Sequence, residues 1–512
     1  MTPPFPVPPN SPRSAVGVSS STQRATCRLC EYPPMRHVWV ALGLASCGSV
    51  RGATSDAQPV LDAPAAPNGS LRWVRSLSSL EALGVADGAG GLVVVGSIVA
   101  PAQLGGATLT PVGGAAMVIA GFDANDASHL FSVSHGATGD AYPFVHDVTS
   151  NGAPIVYGVA YGAVDLGQGV VQGGSTSTAT SDGYIGIYGP GAPSWLARLV
   201  GPGEDKIVAS ALGPSSTIYA GGWFEQTTTL SLNGGAGSMK ISSGGRDIFL
   251  ARLGIFSSSV DLFRIYGGPG LDEMSGVAAS GDELVATGHF DETTGLGTPG
   301  SLAFGGPTQP LTSSGGHDVW VAKLASNGDG VWAVKFGGPG EDRDPRIAID
   351  GAGDVYVAGS FTGQVAFGAI NLVSRGGPDI FLAKLHGSDG SVAWAISFGA
   401  TAPTSSALND GVGGIAVDAA GHVSVSARIA GPLDSDTSAG GLDACIASFE
   451  AATGAPRWRR IISTPGDDSS SAIAYGRNGD LYAIVGLGGS FDFGMPIIGA
   501  PGPSAVLLRI TP

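Results

Sequence analysis

The sequence is poor in most of what builds helices and charged interfaces. Only 13% of its 512 residues are charged, and no stretch holds a 3.6-residue apolar period for long, which excludes a helical bundle. Positive charge is the scarcer sign, 25 Lys and Arg against 41 Asp and Glu. A net charge of −16 repels phosphate, so nucleic acid and anionic membrane surfaces are excluded as partners. The cysteines, Cys27, Cys30, Cys47 and Cys445, are too few to staple a domain of this size. Cys27 and Cys30 make half a zinc shell with no second pair at ligand spacing. Cys445 lies in an apolar strand and reads as a small buried hydrophobe. There is no phosphate loop, dinucleotide fingerprint, GxSxG elbow or membrane-spanning apolar run.

What the chain has in abundance is glycine, 84 residues, set between short apolar runs. Trp332 to Ala400 carries the pattern: WAVKFGGPGED, RIAIDGAGDVYVAGSF, a Gly-rich connection, PDIFLAKL, and then WAISFG again. Short strands bounded by turn signals and repeated at a fixed period mark an array of small sheets. Aligned on the aromatic strand, units start at Trp73, Phe131, Trp195, Phe263, Trp332, Trp394 and Trp458, spaced by 58, 64, 68, 69, 62 and 64 residues.

Each unit holds four expected strands: the IAxD phrase (Ile347 to Asp350), the VYVAGSF phrase (Val355 to Phe361), the DIFLAKL phrase (379–385) and the aromatic strand. Links such as Gly353-Asp354 and Gly421-His422 suit tight two-residue turns. Radially repeated four-stranded sheets make β-propellers, and seven units fall within their usual size. The expected fold is all-β, a seven-bladed propeller over 71–512. The strand 71–77 precedes any complete blade, and the last unit ends after its third strand, 505–510. The first strand is therefore expected to complete the last blade and remove an open edge.

The N-terminal region reads differently. Residues 1–34 are Pro- and Ser-rich, as in disordered segments. Met35-Arg36-His37 begins a basic, then apolar stretch ending in Leu44-Ala45-Ser46-Cys47, the layout of an export signal. Residues 48–70 form a small, polar tether. A start of translation at Met35 is expected.

Two resemblances follow from these residues. The repeats over 71–512 resemble the bacterial beta-propeller repeat family (SBBP type) of surface and secreted proteins, with a distant likeness to NHL repeats. Unit six departs, with Thr401-Ala402-Pro403 in place of GGPGxD, and so does unit two, with Ser181-Asp182-Gly183-Tyr184 in place of GGxDIF. Leu44 to Cys47 is similar to the lipobox of bacterial lipoproteins. That likeness implies lipidation of Cys47 and an outer-membrane or cell-surface address, the membrane being reached through the lipid alone.

Two aspartate positions recur. One follows the aromatic strand: Asp140, Asp205, Asp272, Asp342 and Asp468. The other opens the third strand: Asp182, Asp247, Asp318, Asp379 and Asp443. First and third strands of an up-and-down sheet start at the same end, so both sets are expected on one loop-bearing, acidic face. Asp beside Gly turns most often accepts amides of its own loop. The sharper reading is a hard cation such as Ca²⁺, although no unit shows a dense DxDxDG series; no other cofactor is expected.

The His residues are scattered, and His289-Phe290-Asp291-Glu292 reads as a loop end. The leading expectation is thus a non-catalytic, monomeric, surface-anchored propeller binding a protein or glycan through its acidic face. The alternative is a hydrolase or lyase at the central channel, which needs unrepeated His, Glu and Arg side chains to converge.

Overall fold

The computed structural model describes residues 69–512 apart from 89, 150, 174–179, 190, 236, 292–299, 376, 402–408, 435 and 500–503. Cys47 and the whole signal-like segment lie outside the described residues. Those described are all-β, interrupted by a single 3-10 turn at Pro214–Ser216.

Strands consecutive in the chain pair antiparallel. Glu81–Gly88, Gly91–Ile98, Ala116–Phe122 and His129–His135 form one four-stranded sheet. Sheets of the same up-and-down order begin at Asp272–Ser280, Asp342–Ile349 and Gly411–Val417. A nine-stranded sheet joins two further groups, led by Asp140–Val148 and Asp205–Gly213. They merge because Thr217–Leu232 runs past its own group and pairs with Trp195–Val200, with Leu230 opposite Leu199. The last sheet holds Ser469–Tyr475, Leu481–Gly486 and Ala505–Ile510. Leu71–Ser76 adds antiparallel to its C-terminal strand, with Val74 opposite Leu508.

Each leading strand packs on the next, and Ser469–Tyr475 packs on Glu81–Gly88. On their common axis lies a cavity of about 230 Å³ to which all seven leading strands contribute, among them through Leu83, Phe144, Leu212, Ala279, Ile349 and Tyr475. This is a propeller-like arrangement. It accounts for the composition of the third strands: Asp379–Leu385 is buried almost throughout rather than at alternate residues, because both faces of the sheet are covered.

The turns differ from the two-residue links expected. Ile349 and Val355 are separated by Asp350 to Asp354, and the Asp350 carboxylate accepts the amides of Ala352 (2.9 Å) and Asp354 (3.0 Å). Asp418 does the same for Ala420 and His422. The side chain pins a wider loop, and Gly353 and Gly421 take the positive φ (both 85°) that closes it. The Trp332 indole caps a neighbouring turn: it donates to Gly387 O at 3.0 Å, and a Cβ on Gly390 would lie 2.7 Å from the same ring.

Trp73 and Val74 are buried in the last sheet, so a chain starting at Ser78 bares a long apolar edge. It is expected to melt at lower temperature than the full chain and to self-associate in size-exclusion chromatography with light scattering. A monomer with an unchanged melting point would show that this strand contributes nothing.

Candidate functional site

The aspartates reach one end of their sheets, but they do not form a surface. Asp272 and Asp318 both lie opposite Phe290, and Asp342 and Asp379 both lie opposite Phe361. All except the half-buried Asp140 are buried. The expected acidic binding face is therefore corrected: the carboxylates point into the junctions between sheets. Amides four residues earlier donate to them, Gly268 to Asp272 (2.7 Å), Gly338 to Asp342 (2.8 Å), Ser243 to Asp247 (2.8 Å) and Ser314 to Asp318 (2.6 Å). Thr464 and Gly488 donate to Asp468 (2.5 and 2.8 Å), and Ala115 to Asp140 (2.6 Å).

The repeated glycine phrase has its cause here. A Cβ on Gly337 would sit 1.8 Å from Asp318 Oδ1, and one on Gly267 2.6 Å from Asp247. On Gly399 it would meet Asp379 and also Asp410, at 2.6 and 2.5 Å. Asp410 is the carboxylate that unit six lacked in the sequence. Buried before Gly411–Val417, it accepts from Ala400 (2.8 Å) and Ala430 (2.6 Å). The longer sequence separation from Gly399 to Asp410, compared with that from Gly337 to Asp342, hid it from alignment.

The two sets thus meet in pairs across junctions: Asp182 with Asp205, Asp247 with Asp272, Asp318 with Asp342, Asp379 with Asp410, and Asp443 with Asp468. Burial raises Asp205, Asp272, Asp342, Asp379 and Asp468, the partner's charge adding to it, and burial alone raises Asp247, Asp318 and Asp443. Asp205 is pushed up to about 8, Asp272 and Asp342 to about 7, and Asp379 and Asp410 to about 6, the last by burial. Among the described residues no cluster of three or more His, Cys, Asp or Glu is placed to hold a metal ion.

A different constellation was hidden in the sequence. His289, at the end of Glu283–Phe290, and His317, just before Asp318–Leu324, bring their rings to 5.0 Å between centroids at 62°. Their 28-residue separation in sequence conceals the pair, which only the adjacency of these two strands creates. His317 Nδ1 donates to Glu341 Oε2 at 2.9 Å, and its Nε2 lies 3.8 Å from Asp291. Burial, and then the charge of His289 and Arg343, holds the His317 imidazole below the ordinary histidine range. His289 Nε2 lies 3.7 Å from Glu273, while its buried Nδ1 has no partner among the described residues. Glu273 is held in turn by Arg246, which also binds Glu204 (3.1 Å) and Glu225 (3.0 Å) and lies 4.0 Å from the Trp223 ring centroid. His289, read from the sequence as part of a loop end, is the penultimate residue of Glu283–Phe290. His289 faces Glu273, and His317 faces Glu341 and Asp291, so the two imidazoles can take and give protons. Cys445 is buried as expected, its thiol pushed up to about 12 by desolvation.

No protein-family model matches the chain, and no curated protein does. Among solved structures it overlaps a quinohemoprotein alcohol dehydrogenase from Comamonas testosteroni, 11% identical, over 87% of this chain and 76% of that one (TM-score 0.37). A second quinohemoprotein alcohol dehydrogenase, from Pseudomonas putida HK5, is 10% identical over 86% and 76% (0.41), and a europium-containing methanol dehydrogenase is 13% identical over 86% and 93% (0.36). These overlaps are too loose to carry a reaction over to this chain. The non-catalytic binder without cofactor is withdrawn because the burial of its acidic face removes the surface on which it depended.

The raised carboxyls set a pH dependence. The folded chain binds more protons than the unfolded one between about pH 4, the ordinary aspartate value, and the raised values of about 6 to 8. Stability therefore falls as pH rises through that window. The urea midpoint is expected to be higher at pH 5 than at pH 8; a midpoint that rises with pH would contradict the buried pairs.

Proposed function

We propose that the chain is an exported acid–base enzyme on a closed seven-bladed propeller, cleaving a polar glycan or polypeptide by hydrolysis or elimination. The observation that carries this is the convergence of unrepeated His289, His317, Glu273 and Arg246 with the exposed Glu341, in a scaffold whose buried aspartates recur from unit to unit. His317, with Nδ1 engaged by Glu341, keeps the Nε2 lone pair to accept a proton. His289, oriented by Glu273, packs edge-on against His317 and would relay a proton to or from it, its own Nδ1 being buried. Seven blades and ring closure are supported by the continuous packing of leading strands around the axis and by the pairing of 71–76 with the C-terminal strand. The repeat phrases support kinship with the bacterial beta-propeller repeats. The lipobox-like Leu44 to Cys47 supports a monomer anchored by lipid at Cys47 on the outer membrane or cell surface.

The test is a survey of chromogenic esters and glycosides, peptides, and uronate-containing polysaccharides read for unsaturated products. Turnover is expected, reduced about 10²-fold or more in His289→Gln and in His317→Gln, with folding checked by circular dichroism. Its acid limb is expected below the ordinary histidine value, because His317 must be neutral to act. Turnover that survives both substitutions, or none on any class, would sink the proposal. For the anchor, intact mass of the membrane-extracted chain is expected to begin at acylated Cys47; a chain still carrying residues 1–34 would refute it.

A further inference from the structure

Each leading strand carries a break in its pairing register, and in most the residue that resumes pairing is small: Gly84, Ala209, Gly276, Gly414 and Ala472. The crowding explains it, since a Cβ on Gly84 would lie 2.7 Å from the backbone of Val145 in the next strand. In Asp342–Ile349 that place is taken by Arg346, which is wholly buried. Its Nη1 donates to Pro345 O at 2.9 Å, while Nε and Nη2 have no partner among the described residues. The free pair is one edge of the guanidinium fork, the edge that fits two coplanar acceptor oxygens.

The surroundings make the missing partner an anion. Arg428 lies near enough to raise the cost of the charge on Arg346, and its own buried Nη1 is likewise without a partner. Arg428 Nε is used by Asn409 O (3.3 Å), and a Cβ on Gly411 would lie 3.0 Å from its guanidinium carbon, so the absence of a side chain there makes its room. Burial lowers Arg346 to about 10, with Asp344 and Tyr157 opposing the shift. Asp344 is exposed and hydrogen-bonds neither guanidinium, although it is held at a positive φ of 51° between Arg343 and Pro345.

We propose that Arg346, on Asp342–Ile349, and Arg428, on His422–Ile429 opposite Gly411, form a carboxylate-binding site, with the ligand carboxylate held side-on by Arg346 Nε and Nη2 and tied to Arg428 Nη1. A planar carboxylate matches the free edge, where a tetrahedral anion needs more room. Tyr157, packed on Phe144 at 5.9 Å between ring centroids, lies within the field of Arg346 and supplies an aromatic wall. This inference stands on the two arginines and does not depend on the imidazole pair.

The experiment is isothermal titration of the full chain with sodium acetate, malonate and succinate, with sulfate and phosphate as parallel arms. One carboxylate is expected to give a saturable one-site isotherm and to raise the melting temperature. Arg346→Lys keeps the charge but loses the fork, and is expected to weaken binding about tenfold or more; Arg428→Lys is expected to weaken it as well. Should Arg346→Lys not fold, Arg428→Lys and the wild-type melting shift decide. Absence of any carboxylate isotherm, unchanged affinity in the folded variants, or tighter binding of sulfate or phosphate than of every carboxylate would overturn the proposal.

Discussion

Glycine pressed against a buried carboxylate is the contact on which this structure depends. At junction after junction, the glycine that ends an aromatic strand leaves just enough space for the aspartate that opens the preceding strand of its sheet, and any side chain there would collide with it. The carboxylate in turn collects the amides of the turn, which would otherwise be buried without partners. A short polar clamp of this kind holds neighbouring sheets at one spacing. Its cost is that acids are buried in pairs, and protonation relieves it.

The same crowding governs the axis. Five of the seven leading strands carry Gly or Ala where their register resumes, so a large residue there must be accommodated by everything around it. Arg346 is such a residue, and its orphaned nitrogens are an expense that apolar packing would not incur. The imidazole pair follows the same logic. A group repeated in unit after unit belongs to the frame, whereas His289, His317, Arg346 and Arg428 each occur once, where the frame already supplies rigid support.

Much of the frame was legible in the sequence because it rests on local patterns. Short β-branched runs, Gly-rich turns and a period near 64 residues lead directly to repeated antiparallel sheets, and the odd strand at 71–76 points to its partner at 505–510. The Asp positions were legible too, but not their burial: acid beside glycine looks the same in sequence whether it faces water or a neighbouring sheet. Asp410 escaped because it stands farther from its glycine in the sequence than its counterparts do. The turn at Asp350 to Asp354 was read as tighter than it is because a side-chain acceptor can do the work of a strand partner.

The sequence alone determined the all-β class, the order of strands and the ends at which the acids lie, since periodicity and turn chemistry are properties of neighbouring residues. Which side chains meet was decided by the tertiary structure. His289 reaches His317, and Arg346 senses Tyr157 and Arg428, only because separate strands converge on shared junctions and a common axis, and proximity across such distances leaves no trace in local pattern.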